Sequence, residues 1–151
     1  IPLPNLAATQ ALGNAIAAAL RVGDVVALTG DLGAGKTTLA RAILAALGHG
    51  GDVPSPTFTI IETYDPPAVR IPVAHADFYR LNDPQEAEEL GLDDYRHGAA
   101  LIAEWPENAG GFADEPGCLA IGLEIVPDRS SSGRIAIVEA GHDWLGRMPC
   151  L

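Results

Sequence analysis

The chain has 151 residues, of which 48% are hydrophobic, and its formal net charge at pH 7 is −11. This length and apolar content predict a single domain spanning residues 1–151 with a core of its own, and they argue against disorder. The acidic charge argues against an extended nucleic-acid-binding surface and against docking on anionic lipid. Cys118 and Cys150 lack the spacing of a metal site or a disulfide framework, so we predict buried or incidental thiols in a reducing compartment.

Residues 1–20 carry no charged side chain, as many membrane and signal segments do. Polar residues interrupt this apolar run and no basic segment precedes it, so we expect neither a signal nor a membrane segment. The interrupting residues are Asn5, Thr9, Gln10 and Asn14. Leu12, Ile16 and Leu20 share one face of a predicted helix over residues 6–20. We therefore expect a cytoplasmic protein that makes no contact with a membrane.

The next stretch predicts a strand, a glycine-rich loop and a helix. Residues 24–29 form a short apolar run, typical of a strand that is buried on both faces. Residues 30–37 fit G-x-x-x-x-G-K-[ST], the phosphate-binding loop called Walker A. Leu39, Ile43 and Leu47 then recur on one helical face, and Gly48 is a plausible end of that helix. This order favours a true phosphate loop over a chance glycine-rich turn.

A Walker loop binds phosphate for physical reasons that its residues supply. Backbone N–H groups turn inward around a phosphate oxygen, and the positive end of the following helix points at the same anion. Lys36, the only lysine in the chain, would reach the β- and γ-phosphates and contribute to catalysis, and the Thr37 hydroxyl would ligate Mg²⁺. We thus predict binding of Mg²⁺ and ATP. The predicted nucleotide-binding residues of the loop are Gly33, Ala34, Gly35, Lys36, Thr37 and Thr38.

The remaining elements complete an α/β pattern. Residues 59–64 and 70–77 predict two strands that pair as a hairpin with a long turn. Asp83, Pro84 and Glu86 predict the N-cap, N1 and N3 positions of a short helix that ends near residue 90. Residues 99–103 predict a buried strand, and the alternation over 119–125 and 135–137 predicts an antiparallel hairpin. We expect a P-loop NTPase-like mixed sheet with a parallel centre, antiparallel additions, helices on both faces and nucleotide at the strands' carboxyl ends.

A Walker loop needs acidic partners, because Mg²⁺ prefers oxygen ligands and hydrolysis requires an oriented water. Glu104 and Asp77 each end an apolar run, so we predict that both serve as catalytic residues and metal ligands. Capping a strand or pairing with an arginine is the alternative for each. His75 could be a metal ligand, but with no second histidine nearby in sequence a structural hydrogen-bonding role is favoured. Trp105 is expected to pack.

The polar loop that follows the Walker helix is a candidate switch. Ser55 lies between Pro54 and Pro56, and Thr57 follows Pro56. All of these residues are downstream of that helix. Switch loops of this kind respond to the γ-phosphate of the bound nucleotide. A plain connecting loop is the equally simple alternative.

Four motifs occur in order along the chain: GDLGAGKTT at 30–38, SPTF at 55–58, HADFYR at 75–80 and EWPE at 104–107. With these motifs the chain resembles the TsaE family, formerly YjeE, bacterial P-loop ATPases of tRNA threonylcarbamoyladenosine biosynthesis. The resemblance covers about residues 1–134; the family varies after Gly141, and residues 142–151 are uninformative. Apart from the Walker loop each motif is weak, whereas the four in order are highly specific.

The resemblance implies slow ATP hydrolysis in concert with the proteins TsaB and TsaD. Together they would support formation of the threonylcarbamoyl group on adenosine 37 of tRNAs that read codons starting with A. It also implies that Thr37 and Glu104 hold Mg²⁺ and that Asp77 is needed for activity. Leu6 and Arg134 are implied to help hold the nucleotide. The acidic charge makes any contact with tRNA indirect.

Two other functions stay open at this point. A small-molecule P-loop kinase would share the Walker loop, but such enzymes usually clamp phosphates with several basic lid residues. A non-enzymatic adaptor controlled by nucleotide is the alternative from another class. A GTPase is disfavoured, because no second lysine exists to complete Asn-Lys-x-Asp and the D-x-x-G match at 114–117 lies in a polar loop.

Overall fold

The computed structural model describes residues 1–56, 60–126 and 133–149. In these residues the strands are β1 Pro2–Leu3, β2 Val25–Thr29, β3 Ile61–Tyr64, β4 Val73–Asp77, β5 Ala100–Glu104, β6 Cys118–Ile125 and β7 Arg134–Ala140. The α-helices are α1 Leu6–Ala19, α2 Lys36–Ala46, α3 Gln85–Glu89 and α4 Leu92–Arg96. Short 3₁₀ turns cover Pro106–Ala109 and His142–Trp144.

The strands form one mixed sheet in the order β1-β7-β6-β2-β5-β4-β3. Its centre is parallel, since β2 pairs with both β5 and β6, and β5 pairs with β4. Antiparallel strands extend it on both sides, through β7 and β1 at one edge and β3 at the other. This arrangement confirms the predicted parallel centre with antiparallel additions, including both hairpins.

Each face of the sheet is covered by helices, as predicted. The side chains of successive strand residues alternate between the two faces. Thus Val26 and Leu28 of β2 pack in one core with α1 and α2. Val25 and Ala27 pack in a second core with Ala87 of α3, Leu92 of α4 and two phenylalanines, Phe78 and Phe112. Burial on both faces explains why β2 reads as a continuous apolar run.

Polar side chains accept hydrogen bonds from backbone amides near the starts of α1 and α3. Asn5 precedes α1, and its side chain accepts a hydrogen bond from the Ala8 amide at 2.9 Å. Before α3, the Asp83 carboxylate accepts from the Gln85 amide at 2.9 Å. Glu86 reaches back to the Asn82 amide, one residue earlier than a standard capping box. α1 begins at Leu6 as predicted, whereas α3 begins at Gln85 with Pro84 as its N-cap, so Asp83 and Pro84 each lie one position further outside the helix than predicted.

Sequence patterns missed the short and irregular elements. β1 has only two residues and pairs with β7 more than a hundred positions away, so no local periodicity indicates it. α4 follows α3 directly, beyond the end near residue 90 that the pattern predicted. Residues 142–149, which the sequence left uninterpreted, bring the fully buried Trp144 into the core beside α1 and α2. In the parts of the chain that the structure describes, no helix has the length and apolar character to cross a membrane.

Candidate nucleotide-binding site

The Walker loop joins the carboxyl end of β2 to the first turn of α2. Gly30 has φ 141°, and a Cβ at this position would lie 2.6 Å from the Leu123 carbonyl oxygen, so a side chain cannot fit. Gly35, the N-cap of α2, has φ 104° and contributes no side chain to cap the helix. The first amides of α2 therefore lack a side-chain cap, as in an anion-binding helix N-terminus.

Lys36 begins α2 and lies almost entirely out of solvent. Its Nζ donates hydrogen bonds to the Gly30 carbonyl at 2.6 Å and the Asp31 carbonyl at 2.9 Å. The ammonium also lies 4.4 Å from the centre of the Trp105 ring. Burial lowers the pKa of Lys36 below its ordinary value, while the carboxylates of Glu104 and Asp77 act in the opposite direction. Carbonyl oxygens of the Walker loop therefore hold this cation beside the N-terminus of α2.

The two predicted acids are neighbours at the carboxyl edge of the sheet. Asp77 ends β4, Glu104 ends β5, and the two residues are direct register partners. Both are buried. Glu104 Oε1 accepts from the Thr37 hydroxyl at 2.6 Å, and Asp77 Oδ1 accepts from the Tyr79 amide at 3.0 Å. The fold thus brings residues 37, 77 and 104 together beside the Walker loop, as their positions at strand ends predicted.

His75 takes part in the same cluster. It is fully buried two residues before Asp77, and its Nε2 lies 2.7 Å from Glu104 Oε2. The sequence favoured a hydrogen-bonding role, and the contact with Glu104 provides one. The sequence did not identify Glu104 as its partner, because the pairing of β4 with β5 cannot be read from either strand alone.

The residues present suit Mg²⁺ by their chemistry. The Thr37 hydroxyl and the two carboxylates offer oxygen donors, which this ion prefers. Over residues 1–56, 60–126 and 133–149 no group of three or more His, Cys, Asp or Glu side chains has an arrangement that could hold a metal alone. A Mg²⁺ site completed by nucleotide phosphates needs only one or two protein carboxylates, so the two observations agree.

A cavity of about 340 Å³ joins these groups. Among its lining residues are Lys36, Thr37, Asp77, Glu104 and Ser55. Ser55, one of the two predicted switch residues, therefore lines the same cavity as Lys36 and the two acids. Thr57, the other predicted switch residue, lies outside the described residues, so its place in the site stays a prediction.

A second cavity, of about 210 Å³, lies on the other side of the loop. Leu6 and Arg134 both line it, although 128 positions separate them in the chain. Arg134 donates from Nε to the Ala34 carbonyl and from Nη2 to the Gly33 carbonyl, both at 3.1 Å. Leu6 is 58% exposed, which leaves apolar surface for a ligand to cover. The structure thus places these two residues against the Walker loop.

Sequence reasoning missed several other residues of this second cavity. They are Leu3, Asn5, Thr9 and Leu123. The N-cap role of Asn5 is visible in the sequence, but its place beside the loop depends on the pairing of β1 with β7. Thr38 was predicted to bind nucleotide, and it lines both cavities. The two cavities therefore form one candidate site on either side of α2's first turn.

Backbone strain concentrates near the same edge of the sheet. Among the described residues, the non-glycine residues with positive φ are Ile60, at 67°, and Trp105, at 55°. Trp105 follows Glu104 directly, and the Asp77 amide donates to the Ile60 carbonyl at 2.8 Å. Left-handed backbone at such residues costs free energy and is most often retained at functional sites.

Comparison with known proteins places the chain in a family. The family model described as "Threonylcarbamoyl adenosine biosynthesis protein TsaE" matches residues 3–134. The tRNA threonylcarbamoyladenosine biosynthesis protein TsaE of Haemophilus influenzae is 40% identical over 120 residues, which are 79% of this chain and 74% of that protein. The protein of the same name from Bacillus subtilis is 46% identical over 98 residues, 64% of this chain and 60% of that one.

Two further relatives cover more of the chain. The TsaE protein of Mycobacterium leprae is 38% identical over 138 residues, which are 85% of this chain and 82% of that protein. The crystal structure of Bacillus subtilis YdiB superposes with a TM-score of 0.71 at 31% identity, covering 95% of this chain and 86% of that one. With the family model spanning the Walker loop, both acids and Arg134, the chain belongs to the TsaE family.

Proposed function

We propose that the protein is a Mg²⁺-dependent ATPase acting in tRNA threonylcarbamoyladenosine biosynthesis. The observation that carries the ATPase is the hydrogen bond of 2.6 Å between Thr37 of the Walker loop and Glu104 at the end of β5. It joins the phosphate-binding element to a strand-end carboxylate, as a nucleotide–metal site requires. The biosynthetic role is supported by the names of the family model and of the three TsaE relatives, each of which states that process.

Each residue of the cluster has a chemical task in this proposal. The loop amides and Lys36 hold the phosphates, and Lys36 offsets their charge. Thr37, Glu104 and Asp77 would hold Mg²⁺, which when bound neutralises charge on the phosphates. The Asp77 and Glu104 carboxylates also orient the attacking water, because a carboxylate only accepts hydrogen bonds.

The second cavity completes nucleotide binding. Leu6 offers apolar surface for the base, and Arg134 braces the loop through the Gly33 and Ala34 carbonyls. Ser55 and Thr57 form a switch that responds to the γ-phosphate. Recognition of the whole nucleotide then needs residues from both ends of the chain.

Turnover separates an ATPase from its alternatives. We expect slow phosphate release that requires Mg²⁺ and no small-molecule acceptor, which a kinase would need. In Glu104→Gln and Asp77→Asn the shape is kept and the charge is lost, so ATP should still bind while hydrolysis falls at least tenfold. Glu139→Gln, an exposed residue of β7, is the matched control and should hydrolyse ATP at the parent rate. Normal turnover in both acid variants would show that other residues act on the water.

The same cluster favours an enzyme over a non-catalytic adaptor. An adaptor needs nucleotide affinity alone, and two buried carboxylates facing the phosphates would weaken that affinity by repulsion. They are useful where a metal and a water must be held. ATP binding without any phosphate release, with or without partner proteins, would instead favour the adaptor.

We further propose that the protein works in the cytoplasm with TsaB and TsaD and contacts tRNA only indirectly. The fold does gather Arg21, Arg70 and Arg147 around one cavity at the end of α1, a cluster that the sequence did not reveal. Arg147, however, is paired with Asp24, and Arg70 donates to the carbonyls of α1's last turn. Asp24 thus neutralises Arg147, and the charges that Arg21 and Arg70 keep are small against the net charge of −11.

Binding of tRNA across a salt series tests this division of labour. The isolated protein, with its net charge of −11, should bind tRNA weakly or not at all near physiological salt, and binding should appear when TsaB and TsaD are added. Each phosphate contact would steepen the salt dependence. Submicromolar affinity of the protein alone, with a steep salt slope, would assign it a direct tRNA-binding surface. Phosphate release with and without the two partners would show whether they control hydrolysis.

A further inference from the structure

His75 is a polar residue in a place where the fold would accept an apolar one. It lies in the middle of β4, opposite Ile102 of β5, and its side chain is fully excluded from solvent. The other central positions of β4 and β5 are alanine, valine, leucine or isoleucine. A buried imidazole therefore needs a reason other than core packing.

The contacts of the ring indicate that reason. Its Nε2 lies 2.7 Å from Glu104 Oε2. A carboxylate can only accept, so Nε2 is the donor. In the described parts of the chain the buried Nδ1 has no hydrogen-bond partner. The only hydrogen bond described for the ring is therefore the one to Glu104, and its other nitrogen is unsatisfied. A buried unsatisfied nitrogen reduces the contribution of His75 to folding stability.

Each oxygen of the Glu104 carboxylate has a hydrogen-bond partner of its own. Oε2 faces His75, and Oε1 accepts from the Thr37 hydroxyl at 2.6 Å. A glutamate side chain has several rotatable bonds, so one contact alone leaves the carboxylate free to turn. With both contacts the carboxylate stays pointed at the Walker loop.

We infer that His75 is a positioning residue, which holds the Glu104 carboxylate against Thr37. His75 does not line the cavity beside the Walker loop, whereas Glu104 does, so it acts through Glu104. The inference rests on the proposed function in that Glu104 and Thr37 are the residues assigned to Mg²⁺. Partners that orient a metal ligand in this way typically contribute 10–100-fold to metal affinity or activity.

The experiment compares three variants with the parent protein. His75→Gln carries its amide nitrogen near the place of Nε2, whereas in His75→Asn the shorter side chain cannot reach Glu104. His75→Leu keeps the bulk and removes the donor. The measurements are thermal melting by circular dichroism, ATP affinity without Mg²⁺, the Mg²⁺ concentration for half-maximal turnover, and kcat. Crystal structures of the parent and His75→Leu give the distance from Thr37 Oγ1 to Glu104.

We expect the leucine and asparagine variants to bind Mg²⁺-free ATP within twofold of the parent. Their half-maximal Mg²⁺ concentration should rise about tenfold and kcat should fall by a similar factor. The glutamine variant should recover most of both. Parent-like Mg²⁺ dependence and kcat in His75→Leu would overturn the proposal. Equal losses in the glutamine and asparagine variants, or loss of folding in all three, would assign His75 a structural role and would also overturn it.

The structural measurement separates this inference from the ATPase itself. If the parent protein hydrolyses no ATP, the proposed function fails, and the distance between Thr37 and Glu104 still decides the role of His75. Loss of that contact in His75→Leu supports positioning, and an unchanged contact contradicts it.

Discussion

Two buried clusters of charged residues lie at opposite ends of the parallel strands, and they are built in opposite ways. Asp24 precedes β2 at the amino end, and the Walker loop follows β2 at the carboxyl end. Both clusters include a cation with little solvent exposure, which is Arg147 in one and Lys36 in the other, and carboxylates nearby. The difference lies in how completely each cluster neutralises its own charge.

At the amino end the neutralisation is complete. Arg147 donates to both oxygens of Asp24, at 2.6 and 2.7 Å, and the Arg21 amide donates to the same carboxylate at 2.7 Å. The hydrogen bonds with Asp24 raise the pKa of Arg147 above its ordinary value. Its guanidinium also lies 4.2 Å from the centre of the Trp144 ring, whose Nε1 donates to the Gly117 carbonyl at 2.8 Å. Cation and anion satisfy each other within the chain.

At the carboxyl end the cation has a lowered pKa rather than a raised one. The Lys36 hydrogen bonds go to carbonyl oxygens, and burial outweighs the attraction of the carboxylates. The positive φ angles of Trp105 and Ile60 also lie at this end. A closed cluster stabilises the fold, whereas an incompletely neutralised one can gain from an added anion and cation. Variants of the two clusters should therefore have opposite effects on stability and on nucleotide binding.

The largest effect on folding stability is expected from Trp144→Ala at the amino end. Trp144 is fully buried, and removing a ring of this size typically costs ~3–5 kcal/mol of unfolding free energy. Urea unfolding should show this loss, while the folded fraction keeps its ATP affinity within twofold. The neighbouring Leu145 is 64% exposed, and Leu145→Ala should change stability by less than about 0.5 kcal/mol. A large loss of ATP affinity in folded Trp144→Ala would show that the two clusters are coupled.

The next largest effect is expected from Lys36→Ala at the carboxyl end, which should weaken ATP binding without lowering stability. Removing this cation leaves phosphate charge without its partner, which typically costs ~2–5 kcal/mol, so ATP affinity or turnover should fall at least tens of fold. The melting temperature should stay equal or rise, because a buried cation is removed. Arg41→Ala, an exposed basic residue of the same helix, is the control and should keep ATP affinity close to the parent value. Calorimetry and phosphate release equal to those of the parent would contradict the role of Lys36.

The contrast also explains what the sequence could reveal. The carboxyl-end cluster uses a contiguous motif and acids that end apolar runs, so Lys36, Thr37, Asp77 and Glu104 were all predicted from local pattern. Their convergence needs only the rule that parallel strands place their carboxyl ends at one edge. The sheet's parallel centre and its hairpins were predictable for the same reason.

The rest depends on contacts between distant segments. Trp144 and Arg147 lie in a stretch without periodicity, and their partners Gly117 and Asp24 are up to 123 positions away. The contact between His75 and Glu104 requires the register of two strands, which neither strand's sequence specifies. Local patterns identify helices and strands. The pairing of strands across the sheet and the packing of residues 142–149 against the core depend instead on contacts between distant segments.

The smallest effect concerns Cys118, which begins β6 close to the amino-end cluster. Burial raises the pKa of its thiol from 9.0 to about 11. Between these two values the unfolded chain releases the thiol proton while the folded chain retains it, so the free energy of unfolding falls as pH rises. At pH 9.5 the loss should be below about 1 kcal/mol, and it should be absent from Cys118→Ala.

In a Cys150→Ser background, iodoacetamide at pH 8.5 should label the native Cys118 thiol far more slowly than the urea-unfolded one, because the thiolate is the reactive form. Rapid labelling of the native protein, or equal pH dependence in Cys118→Ala, would place this thiol in an open environment and contradict the closed packing of the amino end.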